Sequence, residues 1–219
     1  MSEQKAGFRG MLKLGIILAI YSAFACVGLA FVYAGTIKII TQRQADDQTA
    51  ALMELFPLAE TFNVISGITS SDPMVTIEGD QDNAGVFAAM SGGKVIGLAI
   101  RTSRASYGGL IRVLVGVGTD GKISGVKILE HKDTPGLGAN ATSKTYYVDR
   151  TRGLHFYDQF TGKSAGDPFE PKLDVVAITA ATVTSKAVSA SVKAAGEAAV
   201  AWFAKGASSP GASSPGGNL

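Results

Sequence analysis

The sequence predicts an α+β protein in which a single N-terminal transmembrane helix is followed by a domain of antiparallel strands with flanking helices. Three observations predict it. Residues 14–37, LGIILAIYSAFACVGLAFVYAGTI, contain no charged residue. Residues 93–131 hold aliphatic, β-branched runs separated by the turn signals SYGG and DG. Residues 186–205 repeat apolar positions at helical spacing ahead of a Ser/Pro/Gly-rich end. The 219 residues give room for one ordinary domain plus an anchor, and the charged fraction of 17% lies below the roughly 25% usual in soluble domains.

The composition excludes several chemistries. One cysteine, Cys26, allows no intramolecular disulfide, no CxxC pair, no all-cysteine zinc site and no iron–sulfur cluster held by this chain alone. Lying in mid-span, it reads as a small hydrophobe. The net charge of +2 is accounted for by Lys5, Arg9 and Lys13 against Glu3, so the remainder is neutral and no nucleic-acid face is expected.

Leu14 to Ile37 is 24 residues, enough for a helix across a bilayer, which needs about 20. A cleaved signal starts the same way, but its apolar region is shorter, about 7 to 15 residues, so an uncleaved anchor is expected. Three basic residues precede the span; Lys38 and Arg43 follow it, then Asp46 and Asp47. The positive-inside rule therefore puts residues 1–13 in the cytoplasm and the domain outside it.

In ADDQTAALMELFPLAETF, Ala51, Leu52, Leu55 and Phe56 recur at helical intervals up to Pro57, predicting a connecting helix within residues 38–60. The main domain is then expected over residues 61–205. GKVIGLAIRTS reads as a strand, and LIRVLVGVGTDGKISGVKILEH as a hairpin about Asp120–Gly121. LDVVAI, Leu173 to Ile178, reads as a further short strand. In the last helix Val188, Val192, Ala195, Ala199 and Trp202 or Phe203 form one apolar stripe. Residues 206–219, ASSPG twice over after Gly206 and then GNL, read as a disordered tail.

Two segments could carry chemistry. TAATVTS places the hydroxyls of Thr179, Thr182, Thr184 and Ser185 at a helix start, where open N–H groups favour an anion such as phosphate. Equally, Thr184 or Ser185 could serve as a plain N-cap, which needs one hydroxyl. HKDTPGLGAN, His131 to Asn140, follows a strand; Pro135 fixes one backbone angle, and Gly136 and Gly138 allow positive φ, giving a tight loop whose amides can approach a ligand. No metal-ligand spacing and no catalytic triad occur, so no metal and no catalytic residue are expected. Tyr146, Tyr147 and His155 read as packing, and Asn140–Ala141–Thr142 matches a glycosylation acceptor by a pattern common by chance.

The order SYGGLIRVLVGVGTDGKISGVKILEHKDTPGLG, then an AT-x-TS cluster opening the last helix behind one anchor, resembles the G subunit of the Rnf ion-translocating electron transport complex. It is similar also to a relative of that family, the C subunit of the sodium-pumping NADH:quinone reductase. The resemblance runs from about residue 14 to 205. It is strongest over Tyr107–Gly138 and Val176–Val188 and weak between Thr61 and Lys94.

The resemblance implies an extracytoplasmic FMN-binding domain and a covalent flavin. FMN would be joined through its phosphate to a threonine of an S/T-G-A-T motif by a dedicated flavin transferase. The aligned residues are Thr179, Ala180, Ala181 and Thr182, so Thr182 is the implied phosphothreonyl-FMN site, with Thr179, Ala181, Thr184 and Ser185 beside it and Thr134, Pro135, Gly136, Leu137 and Gly138 against the flavin. Ala180 stands where the family has glycine, and Asp133 where it has glutamate. If the Ala180 position needs positive φ, alanine costs about 1 kcal/mol.

By the same resemblance, the chain relays electrons in a bacterial inner-membrane translocase that couples ferredoxin/NAD electron transfer to sodium or proton transport. Its partners would be the membrane subunits, a second flavoprotein subunit, iron–sulfur subunits and the lipid bilayer. It would turn over no substrate alone. The alternative of another class is a membrane-anchored docking or assembly module of the same fold without a cofactor.

Overall fold

The computed structural model describes residues 2–78 and 85–206. The expected tail lies, apart from Gly206, outside the described residues. The chain divides into two compact units between Asp47 and Gln48.

One helix, α1 (Ser2–Leu55), makes up the described part of the first unit, contains the uncharged run and ends within the second unit. Among the described residues it is the one helix long and apolar enough to cross a membrane, over Lys13–Leu55. Over residues 14–36 its large apolar side chains, Leu18, Phe24 and Phe31 among them, are exposed. Thr36 and Thr41 turn their hydroxyls back onto the carbonyls of Val32 and Ile37, which satisfies them within the helix as an apolar surrounding requires. The helix stops at Leu55, two residues before Pro57, because proline disfavours helical geometry at the residue before it.

The second unit is built on an antiparallel sheet of six strands: β1 (Thr61–Ile65), β2 (Val75–Ile77), β3 (Val86–Ser91), β4 (Lys94–Ala105), β5 (Leu110–Gly118) and β6 (Ile123–Glu130). The order is β1-β3-β4-β5-β6, with β2 on the far end of β4. A small hairpin of β7 (Tyr147–Asp149) and β8 (Leu154–His155) follows, and helix α2 (Thr182–Ala204) closes the chain. The DG signal makes the β5–β6 turn: Gly121 N–H donates to the Gly118 carbonyl and Gly121 takes φ +73°.

Both faces of the sheet are covered, which is why VLVGV, residues 113–117, reads as a continuous apolar run. Ile111, Val113, Val115 and Val117 of β5 alternate onto the face where Val188, Val192, Ala195 and Ala199 of α2 lie, in the main core with Phe156 and Phe160. The opposite face takes the end of α1: Ala51, Leu52, Leu55 and Phe56 pack on Phe87, Ala89, Ala99 and Leu114. Glycines make room there. A Cβ on Gly97 would lie 2.4 Å from the Phe56 ring, and one on Gly125 2.8 Å from Leu55 Cδ2.

LDVVAI is not a strand. Only Pro171 and Val175 form an isolated bridge there, because side chains take the backbone groups a ladder would use. Val176 N–H donates to Gln159 Oε1 and its carbonyl accepts from Gln159 Nε2, at 2.7 and 3.1 Å. The Asp174 carboxylate accepts from the amides of Phe169 and Glu170 and pairs with Lys163 Nζ at 3.0 Å. Burial acts to raise the Asp174 pKa, but these donors outweigh it and hold it below the ordinary value.

An ion cluster closes the α1 side of the sheet. Arg101, 8% exposed, pairs with Glu78 at 2.8 Å and donates to Gln48 Oε1 at 2.6 Å. Arg112 pairs with the other Glu78 oxygen at 2.9 Å and with Glu130. Glu78→Gln leaves the Arg101 charge buried without a carboxylate and is expected to cost about 2 kcal/mol, read as a lowered thermal midpoint of the detergent-solubilised chain.

Candidate functional site

Three segments distant in sequence meet at the Asp133 carboxylate. Asp133, at the end of the run after β6, is 6% exposed. Its Oδ1 accepts from Gly108 N–H at 2.6 Å, and its Oδ2 accepts from the hydroxyls of Ser106 at 2.7 Å and Thr184 at 2.8 Å. Asp133 therefore joins the SYGG turn between β4 and β5, the TPGLG loop and the first turn of α2. The approach is tight: a Cβ on Gly138 would stand 2.5 Å from Thr184 Oγ1, and one on Gly108 2.1 Å from the Lys132 carbonyl oxygen. Burial acts to raise the Asp133 pKa, but the bonds from Ser106, Gly108 and Thr184, with His131 nearby, prevail and hold it below the ordinary value.

Above Asp133 the loop turns outward. Leu137 N–H donates to the Thr134 carbonyl at 3.1 Å, with Pro135 second and Gly136 third at φ +79°. That is the residue order a type II turn requires. Thr134, Pro135, Gly136 and Leu137 are exposed, whereas Gly138 is buried beneath them. Asn140 Nδ2 braces the turn through the Gly136 carbonyl at 2.9 Å.

The TAATVTS segment divides in the same way. Ile178 to Ala181 is a turn closed by Ala181 N–H on the Ile178 carbonyl at 3.0 Å. Ala180 occupies its third position at φ +59°, so the position that the resemblance assigns to glycine does require left-handed backbone. Thr179 N–H donates to Tyr146 Oη at 3.2 Å. Neither Thr184 nor Ser185 is the N-cap. The cap residue is Ala181, with no side chain capping the helix. Thr184 is committed to Asp133, and Ser185 Oγ accepts from Ile178 N–H while donating to the Ala181 carbonyl.

Thr182, by contrast, is exposed at the first position of α2, and its hydroxyl meets no partner among the described residues. The leading amides of the uncapped helix are open beside it. The arrangement suits a phosphate: a free hydroxyl, unpaired N–H groups and the positive end of the helix dipole. An exposed loop with an apolar side chain, Leu137, is tied to the same helix end through Asp133.

Tyr146, Tyr147 and His155 do pack, but they do more. His155 stacks between Tyr147 and Tyr157, at 4.5 and 5.5 Å between ring centres, and its Nδ1 bonds the Tyr146 carbonyl. No sequence signal marked Asp133 as the hub or Tyr146 as a partner of the Thr179 turn, since both depend on contacts made across the fold.

The fold is that of an FMN-binding domain, and residues 106–197 match the family model of that description. The chain is 34% identical over 194 residues to the G subunit of the Na(+)-translocating ferredoxin:NAD(+) oxidoreductase complex of Acetobacterium woodii, covering 82% of this chain and 87% of the other. It is 33% identical to the G subunit of the proton-translocating ferredoxin:NAD(+) oxidoreductase complex of Clostridium ljungdahlii, over 77% and 80% of the two chains. The crystal structure of Shewanella oneidensis NqrC is a partial likeness, with a TM-score of 0.39 and 20% identity over 59% of this chain and 66% of that one. The chain belongs to the family of G subunits of Rnf-type ion-translocating oxidoreductase complexes.

Asp133→Asn removes an acceptor for the two hydroxyls and is expected to cost about 2 kcal/mol. The folded pKa of Asp133 lies below the unfolded one, so its contribution is whole above the ordinary value of 3.8 and is lost as pH falls through the lower folded value. Acid titration of the unfolding midpoint should therefore show a shallower decline below that pH in the Asn variant than in the parent. Ala180→Gly relieves the left-handed strain and is expected to raise stability by about 0.5 to 1 kcal/mol, seen as a higher thermal midpoint.

Proposed function

We propose that this chain is the electron-relay subunit of an Rnf-type translocase, carrying FMN joined through its phosphate to Thr182. One observation carries the reading: Thr182 presents a free hydroxyl at an uncapped helix start, while the neighbouring Thr184 and Ser185 hydroxyls are committed within the fold. The bond formed is a phosphoester to Thr182 Oγ1: a flavin transferase passes FMN from a flavin dinucleotide, whose pyrophosphate bond breaks, to the hydroxyl, which gives up its proton, and the nucleoside monophosphate leaves. The resulting phosphodiester keeps one negative charge beside the open amides of α2.

FMN, when bound, accepts and passes on one or two electrons. The protein supplies its position. Thr182 tethers the phosphate, Thr179 and Ala181 flank it, and Thr134, Pro135, Gly136 and Leu137 form the exposed turn against which the flavin rests. Gly138, Thr184 and Ser185 hold that turn and the helix end together from beneath. A covalent tether suits a carrier facing bulk water, because the cofactor stays in place through every encounter with a partner.

The relatives in Acetobacterium woodii and Clostridium ljungdahlii are named as subunits of sodium- and proton-translocating ferredoxin:NAD(+) oxidoreductases. By that kinship this chain works within a multi-subunit ion-transport complex of the bacterial inner membrane, beside membrane, flavoprotein and iron–sulfur subunits. Residues 14–37 span the bilayer, residues 1–13 are cytoplasmic, and the flavin domain, residues 61–205, stands on the periplasmic side. The charge order about the span supports this direction.

Thr182→Val is expected to abolish covalent flavin and leave the fold intact, because an exposed hydroxyl contributes at most about 1 kcal/mol. Intact mass and in-gel flavin fluorescence of the chain co-expressed with its transferase check it. A flavin retained by the variant moves the acceptor elsewhere. An unmodified parent chain favours the docking module.

A further inference from the structure

The turn that leads into the acceptor is strained and has to be held. Ala180 lies at φ +59° although it carries a Cβ, and such a residue persists only where its surroundings over-determine it. Two of the bonds that fix the turn are local: Ala181 N–H to the Ile178 carbonyl, and Ile178 N–H to Ser185 Oγ. The third comes from another part of the chain. Tyr146 Oη accepts from the amide of Thr179, the residue before Ala180.

Tyr146 is itself anchored. Its ring packs on the main core, its N–H donates to Ser143 Oγ at 3.2 Å, and its carbonyl is bonded to His155 Nδ1 at 3.0 Å. We propose that Tyr146 is a positioning residue for flavin attachment: its hydroxyl clamps the Ile178–Thr179 peptide so that the left-handed Ala180 presents Thr182 to the transferase. The assignment rests on the reading of Thr182 as acceptor. The clamp matters because residue 180 is alanine. Glycine adopts left-handed backbone about as readily as right-handed and would hold the turn with less help. Tyr146 and residue 180 are therefore coupled: loss of the hydroxyl is harmful with alanine and nearly silent with glycine.

The test follows covalent FMN by intact mass against time after transferase induction, in full-length chain with Thr182→Val as control. The variants are Tyr146→Phe, Ala180→Gly and the two combined, each also melted without flavin. Tyr146→Phe is expected to slow attachment about fivefold, the worth of one hydrogen bond, and the double variant to return within about twofold of the parent. A Tyr146→Phe chain that is labelled at the parental rate, even with a lower melting point, overturns the proposal while leaving Thr182 as acceptor. A double variant as slow as Tyr146→Phe also overturns it, since the hydroxyl would then act elsewhere than on the turn. An unlabelled parent, or a labelled Thr182→Val chain, removes the acceptor reading and this assignment with it.

Discussion

One buried carboxylate organises the functional end of this domain. Asp133 accepts two hydroxyl donors and one amide from segments 25 to 51 residues away in the chain. A buried carboxylate is stable only when its lone pairs are met, and each donor here is worth more than a neutral hydrogen bond because the acceptor is charged. The SYGG turn, the TPGLG loop and the start of α2 are thereby fixed against one another. The glycines at 108 and 138 permit it, since a side chain at either place would collide with the Lys132 carbonyl or with Asp133 and Thr184.

The sheet provides the rigid base for that junction. Its two faces bury different partners, the apolar stripe of α2 on one and the last turns of α1 with Phe56 on the other. A strand buried on both sides has little freedom to shift register, because a slip of one residue would exchange the sets facing the two helices. The SYGG turn and the strand leading to Asp133 thus start from fixed points.

The contrast between Thr182 and its neighbours follows from helical geometry. Residues two apart on a helix face different sides, so Thr184 turns into the protein while Thr182 faces solvent. Ser185, next to Thr184, is buried against the Ile178 amide. The buried hydroxyls are consumed within the fold, Thr184 on Asp133 and Ser185 on the turn before the helix, while those of Thr179 and Thr182 face solvent. Electron carriers exchange with partners at their surface, and a site on an exposed turn backed by a rigid sheet meets that demand.

Much of this was readable in the residues. Local patterns determined the uncharged anchor, the β5–β6 hairpin with its DG turn and the apolar stripe of α2, because each is encoded by periodicity or turn chemistry within about twenty residues. The two-motif order likewise pointed to the family and to Thr182. The strands β1, β2 and β3 were not singled out: TFNVI, VTI and VFAAMS are short runs whose strand-forming residues show no alternation long enough to mark an element, and they become strands through pairing, β1 with β3, and β2 and β3 with β4. LDVVAI shows the converse, a strand-like sequence whose backbone is claimed by the side chains of Gln159, Lys163 and Ser185. The sequence alone thus pointed to the two segments proposed to carry the chemistry. The tertiary structure decided which hydroxyls of the cluster are committed within the fold, what holds the loops together and that Ala180 sits in left-handed backbone, since burial, long-range hydrogen bonds and backbone strain exist only once distant segments have been brought into contact.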